Sequence, residues 1–456
     1  MAFHSVEPEI AVRLKICYSP DNPCRRLLKV PPSHLPRHEK KPAMSTKRRR
    51  RGRKPPASSS AREALSFDLL LEIVLRSDVT TVVRFAATGR TLRRAILDQA
   101  FGRRLTLQAA ADGGCSDFDP ALLLAVSYHE FDYQSNTPNY RIIHAPHPAT
   151  WRLACLDAGT IHPPWLMPLV ARHGLFLHRC VFRCIGGISL TGHVTHPPLA
   201  TVPEAYRRAL LSAGGGGSFD LLLADNSMRF QIFSSKDGKW GAVRQASFVP
   251  PHHPQTNGVV FSDPAVLGRT VYWIYRQSGS RMNPEWRILT LDVDAAQATT
   301  MDLPAGCVSR MIPLKEKGEQ SLVDKHLLLV SARGRLSLFV VESIGISMWT
   351  LSPATSGSTE TWNRRLVIGA AEMLRQTGFV VYDNLRRTPF NLEGFGERSG
   401  SMILSLGCGQ LFRLDHGITE EATVVTRLIS PGSVQVSGVF LHETDRITLL
   451  KAMKSF

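Results

Sequence analysis

Apolar positions in the chain change their spacing about a quarter of the way along, and the change divides it. Leu65-Ser66-Phe67-Asp68-Leu69-Leu70-Leu71-Glu72-Ile73-Val74-Leu75 is apolar around too much of the cylinder for an ordinary surface helix, and predicts a short helix over 65–75. Ser66 suits its N-cap, and Asp68 suits the positive end of the dipole. Ser77-Asp78 offers the next cap, after which Val79, Val82, Val83 and Ala86 follow the one-face helical spacing. Gly89 reads as a C′ stop. A third helix turns Leu92, Ala95 and Ile96 inward and Arg90, Arg93 and Arg94 outward. Three helices in about 40 residues make a small core, so part of this apolar surface is expected to meet a partner or the next domain.

From about residue 140 the period becomes that of strands. Leu221–Ala224 and Arg229–Phe233 flank Asp225-Asn226-Ser227; Val271–Tyr275 precedes Trp286–Leu291. His326–Val330 and Arg335–Val341 flank Ala332-Arg333-Gly334; Met402–Leu406 and Gln410–Leu414 flank Gly407-Cys408-Gly409. Each pair of short runs around Gly, Asn or Asp predicts a hairpin. The first three turn centres recur at roughly 50 residues, the spacing of propeller blades, and about 300 residues would hold six or seven. Trp240 and Trp349 fall at comparable places after two of these hairpins and are expected as buried blade tryptophans. The fold class read here is α+β and multidomain: a short three-helix module, then a mainly β domain, propeller-like, with a pair of β-sandwiches as the alternative.

Charge adds a tail to this picture. The 456 residues are 43% hydrophobic and carry a net charge of +17, of which +11 falls within residues 1–63. That stretch is rich in proline and reads as a disordered basic tail. Met44 is an alternative start to Met1. The organisation read from the sequence is a tail over 1–63, a helical module over 64–104, a linker over 105–139 and a β domain over 140–456. The densest motif is Lys47-Arg48-Arg49-Arg50-Arg51-Gly52-Arg53-Lys54, in which Lys47, Arg48, Arg49, Arg50, Arg51, Arg53 and Lys54 are cationic. An extended cationic run suits the acidic groove of a nuclear-import carrier, and a nuclear location, with a cytoplasmic pool, is expected from it. Nonspecific phosphate binding is the less favoured reading, and a solvated spacer the blandest; no aromatic side chains interleave to stack on bases. No apolar run reaches the ~18 residues of a membrane span, and the first residues lack a secretory pattern. Eight cysteines in this length are too sparse for a disulfide framework, which favours a reducing compartment.

Signals for chemistry are poor. Gly214–Gly217 lacks the Gly-Lys-Ser/Thr of a phosphate loop, and Gly394, Gly396 and Gly400 miss the dinucleotide spacing by one residue. His178, Cys180, Cys184, His193 and His196 can be drawn as a zinc set but have no second clean Cys pair, and buried thiols with surface histidines are the favoured reading. Asp292 and Asp294 read as a strand end. No catalytic residues, metal or cofactor are expected.

Residues 65–101, from Leu65-Ser66-Phe67-Asp68-Leu69-Leu70-Leu71-Glu72-Ile73 through Val82-Val83-Arg84-Phe85 and Arg93-Arg94-Ala95-Ile96 to Phe101, resemble a plant F-box. Ser66, Gly89 and Leu92 stand where that family usually has Pro, Cys and Trp. Asp263–Trp273, and Leu289–Asp294 with Leu303-Pro304, resemble segments of the F-box-associated β domains. The resemblance implies a non-catalytic substrate receptor of a ubiquitin ligase. Its F-box would dock on a Skp-type adaptor, and through it a cullin, while its β domain would hold a target protein. By position, Leu65, Leu69, Leu70, Ile73 and Val74 would face the adaptor. The alternatives are an interaction scaffold with a degenerate F-box, and a nuclear nucleic-acid-associated protein.

Overall fold

The computed structural model describes residues 65–111, 118–132, 137–144, 166–172, 175–180, 185–189, 194–195, 197–198, 200, 207–213, 218–248, 263–277, 285–311, 325–352, 361–378, 390–406, 409–416, 423–428 and 435–446. The Lys47–Lys54 run, the two candidate starts, Gly214–Gly217 and the side chains of the drawn zinc set lie outside what is described. The chain divides into two units, residues 1–74 and 75–456.

Helix α1 (Phe67–Arg76) runs from the first unit across this boundary. It starts where Ser66 Oγ accepts the Leu69 amide at 3.3 Å, as the cap reading expects. Asp68 in the first turn and Arg76 in the last both suit the helix dipole.

The second unit begins with α2 (Val79–Thr88), α3 (Arg90–Ile96) and α4 (Gln99–Ala111). Asp78 caps α2, accepting the Thr81 amide and hydroxyl at 2.8 Å each. Burial pushes its carboxyl up, but these hydrogen bonds outweigh that and hold it below the usual range. Val82 and Ala86 turn inward from α2, and Leu92 and Ile96 from α3, as the spacing predicts. Gly89 departs from its expected role: its φ of −171° is ordinary extended backbone, and it serves as the N-cap of α3. The helical stretch also holds more than the three helices expected. Phe101 and Leu105, at i and i+4, are buried on α4.

The rest of the unit is mainly β. One sheet runs β3 (Leu166–Arg172), β4 (Leu175–Cys180), β5 (Ile185–Ser189), β6 (Val194–Thr195). The next runs β7 (Arg207–Ala213), β8 (Phe219–Ala224), β9 (Arg229–Ser234), β10 (Lys239–Trp240), with β11 (Arg244–Gln245) also on β9. A third holds β13 (Ala265–Leu267), β14 (Thr270–Gln277), β15 (Glu285–Asp292) and β16 (Gln297–Asp302), with β12 (Ser247–Phe248) parallel to β16. The fourth runs β17 (Leu327–Ala332), β18 (Arg335–Glu342), β19 (Gly345–Ser352), β20 (Thr361–Gly369). The fifth runs β21 (Phe390–Phe395), β22 (Ser401–Leu406), β23 (Leu411–His416), β24 (Thr423–Arg427). A three-stranded sheet sets β1 (Leu123–Asp132) between β2 (Thr137–His144) and β25 (Gln435–Glu443). Strand β1 lies within the 105–139 stretch that the sequence reads as a linker.

The edge strands β25, β3, β7, β13, β17 and β21 neighbour one another in that order, and β21 returns to β25. The arrangement is propeller-like: five blades of four or five strands, with the three-stranded sheet closing the ring. Apolar clusters fill the gaps between neighbouring sheets. Phe339, Val341, Leu404 and Phe412 pack together between the fourth and fifth blades, and Phe230, Trp273 and Leu289 between the second and third. Strands β17 and β22 are buried at every position, which explains why both read as nearly unbroken apolar runs rather than alternating ones.

All four predicted hairpins are present as β8–β9, β14–β15, β17–β18 and β22–β23. The tight turn between β17 and β18 takes Arg333 and Gly334 to φ of 51° and 69°. The two tryptophans are not equivalent. Trp349 is buried on the third strand of its blade, whereas Trp240 is half-buried on an outer strand, its indole N–H donating to the Pro198 carbonyl at 2.7 Å.

Candidate functional site

In the first unit the distinctive feature is apolar exposure. Leu65, Leu69 and Ile73 are 59%, 53% and 43% exposed and recur at i, i+4 and i+8, so they form one row. Phe67, 42% exposed, lies off that row; it stands in the F-box-like motif but was not among the expected contact residues. Leu70 is half-buried and Val74 is fully buried, so the five expected adaptor-facing residues do not share one exposed face. A cluster of large apolar side chains left in water on a ten-residue helix is a surface for another apolar surface.

In the second unit the inner strands of the ring enclose a cavity of about 100 Å³, enough for roughly three waters. Its lining is backbone and aliphatic side chains plus four ionisable groups: Arg172, Asp263, Glu397 and Glu443. Arg172, at the end of β3, reaches three elements at once. Its guanidinium donates to the Leu210 carbonyl at 2.6 Å, to the Val266 carbonyl at 3.0 Å and to Glu397 at 2.9–3.0 Å. Asp263, just before β13, keeps contact with solvent, yet the protein around it pushes its carboxyl up; Arg208 opposes that shift. Glu443 accepts the Ser399 amide at 2.7 Å and the Arg398 amide at 3.2–3.3 Å. Burial pushes its carboxyl up, the hydrogen bonds from Ser399 and Arg398 oppose this, and the charge of Glu397 adds to it.

Three features elsewhere bear on chemistry. Cys307 is buried, and desolvation pushes its thiol up to about 11, which keeps it protonated at neutral pH. Glu342, also buried, is paired bidentately with Arg364, whose guanidinium lies 6.0 Å from the Trp349 ring centre. Asp292 accepts the Ala295 amide in the β15–β16 turn and Asp294 pairs with Arg269 at 3.0 Å, so both act at a strand end, as read. Among the described residues no group of three His, Cys, Asp or Glu side chains is placed to hold a metal ion, and no helix is long and apolar enough to cross a membrane.

No sequence signal marks Arg172 or Glu443, because their partners lie in distant strands. Gly394, Gly396 and Gly400 did stand out, and the structure gives their reason. A Cβ at Gly394 would lie 2.6 Å from Leu441 Cδ1, and one at Gly396 would lie 2.2 Å from Glu443 Oε1. At Gly400, where φ is +67°, it would lie 2.4 Å from the Phe118 ring. The three glycines let the β21–β22 segment approach β25 and the Phe118 strap.

Among solved structures, the chain is similar to a puromycin-hydrolyzing peptidase of Mycobacterium tuberculosis, at 11% identity and a TM-score of 0.33, over 58% of this chain and 39% of that one. It is also similar to an oligogalacturonate lyase of Vibrio parahaemolyticus, at 6% identity and a TM-score of 0.28, over 63% and 68% of the two chains. A third likeness is to apo AztD of Citrobacter koseri, at 10% identity and a TM-score of 0.30, over 68% and 72%. The chain thus spans about two fifths of the peptidase, and none of these likenesses bears on its activity. No curated protein matches it. The model of one family, described as a domain of unknown function (DUF7595), matches residues 179–456, which take in the propeller from within β4 to the C-terminus but not the helices at 67–111; the chain belongs to that family.

Proposed function

We propose that this protein is a substrate receptor of a Skp–cullin–F-box ubiquitin ligase, with α1 docking on the Skp-type adaptor and the propeller-like ring holding a target protein. A ring of this kind is compatible with a protein-interaction scaffold. The observation that carries the finer reading is the exposed row Leu65, Leu69 and Ile73 on a capped helix whose sequence resembles the docking helix of an F-box. Phe67 extends the apolar surface, and Leu70 lies half-buried at its margin. Val74, buried as α1 stands, serves the proposal only as packing. In this reading the protein supplies binding and no bond-making chemistry.

Leu69→Asp combined with Ile73→Asp places two carboxylates in the proposed contact, where each would lose water without a partner at a cost of several kcal/mol. The double variant is expected to lose pull-down of the Skp-type adaptor while retaining the wild-type circular dichroism spectrum. Undiminished adaptor recovery with the double variant would overturn the docking reading and leave the scaffold.

Nuclear entry through Lys47–Lys54 is part of the same proposal. Replacing Arg48, Arg49, Arg50 and Arg51 with Ser removes four cations from a run with no apolar face. A fluorescent fusion of that variant is expected to shift to the cytoplasm while adaptor binding persists. If it stays nuclear but washes out at lower salt, the run binds nucleic acid instead. Unchanged distribution and extraction would remove the nuclear assignment.

A further inference from the structure

The segment Gly396-Glu397-Arg398-Ser399-Gly400, between β21 and β22, ties together parts of the ring far apart in sequence. The Glu397 carboxylate is held by Arg172 of β3. The Arg398 carbonyl accepts the Asp119 amide at 3.0 Å, and its guanidinium lies 3.3 Å from Asp445, just beyond β25. The amides of Arg398 and Ser399 both point at Glu443, the last residue of β25. Leu122 and Thr444 add a backbone bond of 2.9 Å beside them. One pentapeptide therefore holds the first blade, the strap before β1 and the closing strand.

Glu443 is the unusual member. It is buried, and the two cations nearest the segment are committed elsewhere, Arg172 to Glu397 and Arg398 to Asp445. The other ionisable groups around it are Asp119 on the strap, Arg446 (3.7 Å from Asp119) beyond β25, and Asp263 across the cavity, which faces Arg208. From β17 the cavity presents only Leu328, Leu329 and Val330. The carboxyl of Glu443 thus has amide donors but no counter-charge, and a second carboxylate, Glu397, stands beside it.

We propose that the Gly396–Gly400 segment is a pH-sensitive latch on the ring closure, tight while Glu443 is protonated and loosened when it ionises. Burial in the folded state raises the Glu443 carboxyl above the 4.5 of a free glutamate. Its contribution to the closed seam is therefore complete below about 4.5 and fades as pH rises through the higher folded value. Loosening at this point uncouples β25 from β21 and opens the axial cavity to water.

Hydrogen exchange on the full-length chain tests this, read by mass spectrometry between pH 5 and 8 and corrected for the intrinsic pH dependence of exchange. Protection of peptides covering 396–401 and 439–446 is expected to fall about tenfold across that range, while the β8–β9 hairpin keeps its protection. Glu443→Gln is expected to make seam protection independent of pH. Should that variant fail to fold, Glu397→Gln serves: it removes the neighbouring negative charge and is expected to move the loosening to lower pH. Flat protection in the wild type would overturn the latch. So would a transition that persists in Glu443→Gln, or one that Glu397→Gln leaves in place.

Discussion

Replacing Arg172 with Leu is expected to destabilise the propeller unit by about 3 kcal/mol, read as a fall in the urea midpoint with an unchanged slope. The side chain joins β3 to the Leu210 carbonyl of β7, the Val266 carbonyl of β13 and the Glu397 carboxylate after β21. Leu fills the volume but leaves two carbonyls and a largely buried carboxylate without their donor. Removing one partner of such a pair costs more than the pair is worth, because the other charge stays behind. Glu397 is 20% exposed, which sets the estimate at the low end for a buried pair. Arg172→Lys keeps the charge but not the fork, so it should recover only part of the loss. Combining Arg172→Leu with Glu397→Gln should cost less than the sum of the single changes, since the orphaned charge is gone. A midpoint unchanged in Arg172→Leu would show that the axial contacts do not hold the ring.

Gly345→Ala should cost on the order of 3 kcal/mol. Gly345 opens β19 with φ of +139°, a conformation that L-residues rarely adopt. An added Cβ would lie 2.1 Å from the Ile368 carbonyl oxygen and 2.9 Å from the Ala370 amide nitrogen, and these are backbone atoms that cannot swing aside. Moving them disturbs β20 and the start of helix α5 (Ala370–Thr377), whose Met373 is buried in the core between the fourth and fifth blades. Gly102 within α4 provides the opposite case: nothing lies within 4 Å of its Cβ position. Gly102→Ala should therefore stabilise by about 0.5–1 kcal/mol through helix propensity alone. Thermal unfolding of the two variants beside wild type separates them, and equal effects at both positions would contradict the backbone geometry described for Gly345.

What the sequence makes legible follows from how local each constraint is. The β8–β9 and β17–β18 hairpins are visible because a turn residue and two short apolar runs sit within about fifteen positions, and one face decides the register. The first helices are visible for the same reason, with Ser66 and Asp78 marking their starts. The closing sheet is not, because β1 pairs with β25 through registers such as Val126 opposite Leu441, across most of the chain. Gly394, Gly396 and Gly400 were visible as a spacing, but what they accommodate is Leu441, Glu443 and Phe118, so their meaning is tertiary. Arg172 looks like any arginine at a strand end until the ring brings three blades to it. On α1 the apolar excess was legible, whereas the burial of Val74 beside the exposed Ile73 depends on packing that periodicity alone does not supply.

The receptor reading meets its most direct test in affinity purification of the tagged full-length chain from cells under proteasome inhibition, with mass spectrometry of what is recovered. The account predicts that the Skp-type adaptor and a cullin accompany the wild-type chain, and that both disappear with Leu69→Asp/Ile73→Asp while any target bound by the ring remains. Recovery of other partners without adaptor or cullin, or adaptor recovered equally by the double variant, would contradict it.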